Sequence, residues 1–132
     1  MTARSSSTVR VRYAETDQMG IAYHGNYLAW MEIGRTDLLR ERGMTYRQLE
    51  ERSVRLPVLE AHVKYLKPAL YDDVLEVLTT LEELGRARMR FAYEVRRVDD
   101  SAQLATGSTE HAAIGPDGRA RRIPPELREL LG

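Results

Sequence analysis

Apolar residues recur with a helical period in one stretch of this chain, and on both sides of it they alternate. Tyr27, Met31, Gly34 and Leu38 fall on one helical stripe, flanked by Leu28, Trp30 and Leu39, with Glu32, Thr36 and Arg40 mainly opposite. Asn26 ahead of the stripe predicts an N-cap. Arg40 and Arg42 suit a last turn, and Gly43 predicts the stop. Residues 45–52 leave room for one or two further helical turns. Before the stripe, residues 8–13 set Val9, Val11 and Tyr13 against Arg10 and Arg12, the pattern of a half-buried strand.

The remainder reads as strands. Leu59, Ala61, Val63 and Tyr65 alternate with Glu60, His62 and Lys64 until Pro68 ends the run. Leu75, Val77 and Leu81 alternate with Glu76 and Thr80. Ala87, Met89, Phe91, Tyr93 and Val95 alternate with Arg88, Arg90, Glu94 and Arg96. Residues 103–114, rich in Ala, Thr and Ser, predict a weaker strand. Gly115-Pro116-Asp117-Gly118 predicts a turn, and Pro124-Pro125 opens a short helix over 126–131. Tight links between the late strands favour antiparallel pairing. One amphipathic helix must then cover the sheet's apolar face, or both stay wet. The expected class is α+β: a five-stranded antiparallel sheet wrapped around one long central helix. No repeat or linker interrupts it, so residues 8–132 are expected to form a single domain behind a flexible N-terminus at 1–7.

Composition narrows the functional classes. Lys and Arg total 20 and balance 20 Asp and Glu, which argues against duplex nucleic acid as a partner, because that binding rests on neutralising phosphates. The absence of cysteine excludes disulfides, thiolate catalysis and iron–sulfur ligation. No apolar run approaches the roughly 20 residues that span a bilayer, and residues 1–7 lack a signal-peptide pattern, so no stable membrane insertion and a cytoplasmic location are expected. His24, His62 and His111 show no metal-ligand spacing, and no cofactor is implied.

The segment between first strand and helix concentrates the chemistry. Glu15, Asp17, Gly20, Tyr23, His24, Gly25 and Asn26 lie within it. Taken singly, an Asp in a turn usually bonds its own backbone, and a lone His is more often a capping or surface residue. Their co-location just before a helix changes the balance. Free N–H groups and the positive end of the helix dipole make that place suited to an anion or a developing oxyanion.

The run Thr16-Asp17-x-x-Gly20-x-x-Tyr23-His24-x-Asn26-Tyr27, followed by Met31-Glu32-x-x-Arg35-Thr36, closely resembles the 4-hydroxybenzoyl-CoA thioesterase family, in particular its YbgC-type acyl-CoA thioesterase branch. The likeness continues through Tyr65-Leu66-Lys67-Pro68-Ala69-x-Tyr71-Asp72-Asp73 and Arg121-Arg122-Ile123-Pro124-Pro125-Glu126-Leu127. It implies the hotdog fold and hydrolysis of an acyl-CoA thioester. It places the catalytic carboxylate on Asp17, as general base or nucleophile, with Tyr23 and His24 beside it. The oxyanion-binding backbone N–H falls at His24 or its immediate neighbours. Tyr23-His24 departs from the aromatic pair of the 4-hydroxybenzoyl enzymes, which leans towards a general or short-chain acyl group.

Gly25 and Asn26 are expected to contact substrate. Lys67, Arg88 and Arg90 are the candidates for the coenzyme A phosphates, since Arg binds phosphate well. Arg86, Arg96, Arg97, Lys64 and residues 119–122 are rivals, and a solvated outer face is the plainer account of the arginines. Glu32 is expected in a salt link and Glu15 facing solvent. Two other classes stay open: an acyl-thioester hydratase or dehydratase on the same fold, and a non-catalytic module binding acyl-CoA or a protein. A homodimer or homotetramer is expected, because one helix on one sheet leaves strand edges open.

Overall fold

The computed structural model describes residues 2–132. Its strands are β1 (Arg4–Arg10), β2 (Val58–Tyr65), β3 (Val74–Leu84), β4 (Arg88–Arg97) and β5 (Gln103–Ala112). They form one antiparallel sheet in the order β1-β3-β4-β5-β2. The helices are α1 (Asn26–Glu41), α2 (Tyr46–Glu51) and α3 (Pro125–Leu131). The α+β architecture, with five strands around one long helix, is as expected from the sequence.

Helix α1 owes its burial to the stripe seen in the sequence: Tyr27, Trp30, Met31, Gly34, Leu38 and Leu39 all face the sheet. It ends in a Schellman arrangement. Gly43, at φ +103°, lets its N–H reach the Arg40 carbonyl while the Met44 N–H reaches Leu39. At Gly34 the helix approaches β3 so closely that a Cβ would collide with Thr79 Oγ1. Two apolar cores result. One surrounds Leu38, Phe91, Leu127 and Leu131 near the end of α1. The other surrounds Tyr27, Trp30, Leu75, Val95 and Leu104 near its start, where it props up the loop that precedes the helix.

Five expectations are corrected. Of the lead-in expected at 1–7, Met1 lies outside the described residues, but residues 4–7 are not loose: β1 starts at Arg4, with Ser5 and Ser7 turned inward. The alternation survives but runs earlier, because seven residues pair with β3 from Arg4–Thr80 to Arg10–Val74, and Tyr13 falls in a 3₁₀ turn, exposed. Asn26 is the first residue of α1, not its cap. Gly25 caps the helix without a side chain, and Asn26 Nδ2 donates instead to the Glu15 carbonyl at 2.7 Å. Glu15 does not face solvent, for reasons given below. The late strand read as weak, β5, is interior, paired on both sides.

Strand β2 is an edge and is exposed along almost its whole length. Helix α1 leans towards β1 and β3, away from it. Val58, Leu59 and Tyr65 on β2, and Tyr23, Leu28 and Ile33 on or beside α1, therefore remain open to solvent.

Candidate active site

The loop from Tyr13 to Gly25 is held by its backbone and by one buried acid. Glu15 Oε1 accepts the Arg12 N–H at 2.8 Å and Oε2 accepts the Trp30 indole N–H at 3.2 Å. Its own carbonyl accepts the Tyr23 N–H at 2.8 Å and Asn26 Nδ2 at 2.7 Å. Burial pushes the Glu15 pKa up, but the Arg12 backbone and guanidinium and the Trp30 indole outweigh it and hold the carboxyl below its ordinary value. Ala22 donates to Ala69 at 2.8 Å, tying the loop to the segment after β2.

On this frame Asp17 heads a tight turn. Its carbonyl accepts the Gly20 N–H at 2.9 Å, its N–H reaches Ile21, and Gly20 supplies φ +79°. Asp17 Oδ1 accepts the Met19 N–H at 2.9 Å. Oδ2 makes no hydrogen bond among the described residues. One oxygen thus fixes the side chain and leaves the other available.

The carboxylate opens into a pocket of about 280 Å³ that His24, Tyr27, Tyr65, Leu66 and Lys67 also line. Tyr65 donates its hydroxyl to the His24 carbonyl at 2.9 Å, fixing the peptide at the approach to α1. Burial raises the pKa of both Tyr65 and Tyr27, so neither phenol carries charge near neutrality. The first turns of the helix use the N–H groups of Asn26 and Tyr27, bonded to Tyr23 and His24 carbonyls. The N–H groups of His24 and Gly25 have no acceptor among the described residues. They stand at the positive end of the α1 dipole, beside a pocket that holds a carboxylate.

The sequence candidates separate into groups. Asp17, His24 and Lys67 come together in the pocket. Tyr23 does not line it; its ring lies 4.3 Å from that of His24 and packs over Gly25, where a Cβ would meet the ring at 2.9 Å. Asn26 is spent on the loop. Arg88 and Arg90 lie on the outer face of β4, paired with Glu110 at 3.3 Å and Glu82 at 3.4 Å, and the structure does not bring them to this chain's pocket. Glu32 makes the expected salt link, a loose one, 3.9 Å from Arg35. Sequence reasoning did not single out Tyr65 or Tyr27 as pocket residues. The family resemblance passed through both, but their periodicity marked them only as core.

An antiparallel sheet wrapped around one helix, with a pocket at that helix's start, is the hotdog arrangement. The chain belongs to the thioesterase-like superfamily, whose family model matches residues 11–131. Acyl-CoA thioesterase YbgC of Haemophilus influenzae is 36% identical over 110 residues, covering 83% of this chain and 79% of that protein. YneP of Bacillus subtilis is 42% identical over 91 residues, 69% of this chain and 66% of that protein. Among solved structures, a DHNA-CoA thioesterase from Staphylococcus aureus superposes with TM-score 0.92 at 34% identity, covering 96% of this chain and 87% of that one. The 4-hydroxybenzoyl-CoA thioesterase of a Pseudomonas strain superposes with TM-score 0.90 at 23% identity, over 97% of this chain and 99% of that one, a likeness of fold.

Proposed function

We propose that this protein hydrolyses an acyl-CoA thioester to the free acid and coenzyme A, with Asp17 as its catalytic residue. The observation that carries the reading is the pairing, at one pocket, of a carboxylate oxygen without a hydrogen bond and two backbone N–H groups without acceptors. A thioester carbonyl placed between them would develop its negative charge towards His24 and Gly25. One preorganised donor of this kind is worth about 3–4 kcal/mol. Asp17 Oδ2 removes a proton from water as the water attacks, or attacks the carbonyl itself and forms a mixed anhydride that water then opens. In both routes the C–S bond breaks and the coenzyme leaves as a thiolate. A single turnover in ¹⁸O-labelled water tests direct attack, because label enters the protein carboxylate only when water opens an anhydride at the Asp17 carbonyl, whereas the general-base route puts it in the product acid alone.

The names of the relatives support acyl-CoA as the substrate class. Free-thiol release from a panel of acyl-CoAs tests the activity. No release from any of them, or hydration of an enoyl-CoA without release, defeats it.

The single domain over residues 8–132, extended by β1 to Arg4, is part of this reading. So is a homodimer or dimer of dimers, with the acyl group held between the α1 start of one copy and the sheet of the next. The exposed β2 edge and the open side of α1 support it. Among the described residues no helix is long and apolar enough to cross a membrane. We place the activity in the cytoplasm, where cell fractionation tests it.

A further inference from the structure

A second cleft lies further along α1. It has a volume of about 360 Å³ and is lined by Glu32, Arg35, Thr36, Tyr46 and Leu56. Its floor is unusual in charge. The Arg35 side chain is only 10% exposed, and the one carboxylate near it, Glu32 at 3.9 Å, is 69% exposed and free to swing into solvent. Among the described residues neither Arg35 Nε nor the buried Tyr46 hydroxyl has a partner at hydrogen-bond geometry, though the two side chains lie close enough for the phenol to stabilise the guanidinium.

Burial disfavours the guanidinium charge, but the Tyr93 and Tyr46 phenol oxygens facing it outweigh that and hold its pKa up; they stabilise the charge without neutralising it. Tyr46 and Tyr93 face Arg35, and burial pushes both phenols up, so both stay neutral. Tyr93 Oη is engaged with Thr109 Oγ1 at 2.6 Å. Thr109 Oγ1 also meets His111 Nε2 at 2.8 Å, and His111 Nδ1 meets the Leu56 carbonyl at 3.0 Å. Burial, joined by the Arg35 charge, lowers the His111 pKa and keeps the ring neutral. The cluster therefore holds one permanent positive charge and no buried negative one. Neutral phenols leave the net charge of the cluster unbalanced, and a planar fork of donors matches a carboxylate best.

Position relates this cleft to the pocket. Leu28, Glu32 and Arg35 lie three or four residues apart on α1, so they form one stripe that runs from the helix start, where His24 lines the pocket, to the cleft. From Tyr27 to Arg35 the helix rises about 12 Å. Leu28, exposed between the two, gives that path an apolar floor.

We propose that the Arg35–Tyr46 cleft is a carboxylate subsite, filled by the distal carboxylate of a dicarboxylic acyl group whose thioester lies at Asp17. As an assignment of substrate class it rests on the thioesterase reading; as a carboxylate site it does not. Arg35 and Tyr46 both donate to the ligand, and Glu32 competes with it.

The test compares suberyl- and sebacyl-CoA with octanoyl- and decanoyl-CoA, and follows melting temperature in added free suberate and octanoate. The expected result is a kcat/KM preference for the ω-carboxyl substrates that falls at least about tenfold in Arg35→Met, with the neutral substrates unchanged. Met fills a similar volume without charge, so folding survives. Tyr46→Phe lowers the same preference with the core intact, and Glu32→Gln raises it. Suberate raises the melting temperature of the wild type and of Asp17→Asn, but not of Arg35→Met. Stabilisation by both free acids without a substrate preference overturns the assignment to an acyl group and leaves a site for free carboxylates. No preference together with no carboxylate stabilisation overturns the proposal. Arg35→Met that dissociates the oligomer while carboxylates leave the wild type unmoved also overturns it, since a second copy then supplies the counter-group. Loss of hydrolysis of every acyl-CoA by the wild type, with suberate stabilisation retained, counts against the thioesterase reading alone.

Discussion

Asp17 and Glu15 are two residues apart, and their surroundings divide two tasks between them. Glu15 spends both carboxylate oxygens on the loop, on Arg12 and Trp30. Asp17 spends one. Asp17→Asn keeps an oxygen for the Met19 N–H and should preserve the turn and the fold, while lowering kcat by about 10²–10⁴ with KM little changed. Steady-state kinetics with thiol detection checks this, and wild-type kcat in the variant moves the chemistry elsewhere. Glu15→Gln should act on stability instead, at about 1–3 kcal/mol, because a buried acceptor pair becomes part donor. The folded Glu15 pKa lies below its ordinary 4.5, so its contribution is present above that pH and disappears as pH falls through the folded value. Urea melts of wild type and Glu15→Gln should therefore differ at pH 6 and converge in strong acid. Legibility at this scale was uneven. Asp17 stood out because turn, glycine and helix start shared a few residues. Glu15 was misread as solvent-facing because its partner Trp30 is fifteen positions on, beyond what local alternation reports.

At the scale of elements, the helix stripe and the strand alternation carried most of the fold into view. What they missed was set by pairing partners: β1 begins at Arg4 because β3 extends far enough to pair with it, a fact that a polar Ser-rich stretch does not announce. Gly34 was legible as part of the apolar stripe, though not why it is glycine. Ala there would normally favour a helix, but a Cβ meets Thr79, and overpacking at such a crossing costs about 1–3 kcal/mol. Gly34→Ala should lower the melting temperature, and Gly34→Ala with Thr79→Ala should recover part of the loss. On β5, His111 is fully buried and its pKa is lowered, chiefly by desolvation. Below its ordinary 6.5 the unfolded chain binds a proton that the folded ring refuses, so stability falls as pH drops through that region. NMR titration that shows the His111 ring protonating at or above 6.5 contradicts this.

For the whole molecule, the question is what covers β2. It is an edge of the sheet, exposed along almost its whole length, with exposed apolar side chains around it. Light scattering at micromolar concentration should give a mass of at least twice 15.1 kDa. Val58→Lys with Leu59→Lys, charges of the kind that blunt strand edges, should shift it towards the monomer and reduce turnover if the site spans two copies. A monomeric wild type with full activity defeats both expectations.

The strand order also governs when this chain can fold. Strand β1 waits for β3, and β2 waits for β5, so only β3–β4 and β4–β5 join neighbours in sequence. During synthesis α1 leaves the ribosome with Trp30, Met31, Leu38 and Leu39 uncovered, long before the sheet that buries them exists. Contacts this distant make for slow closure and a nascent chain attractive to chaperones. The hairpin formed by β3 and β4 is the natural place for folding to nucleate, and substitutions that weaken its Gly85 turn should slow refolding more than they speed unfolding.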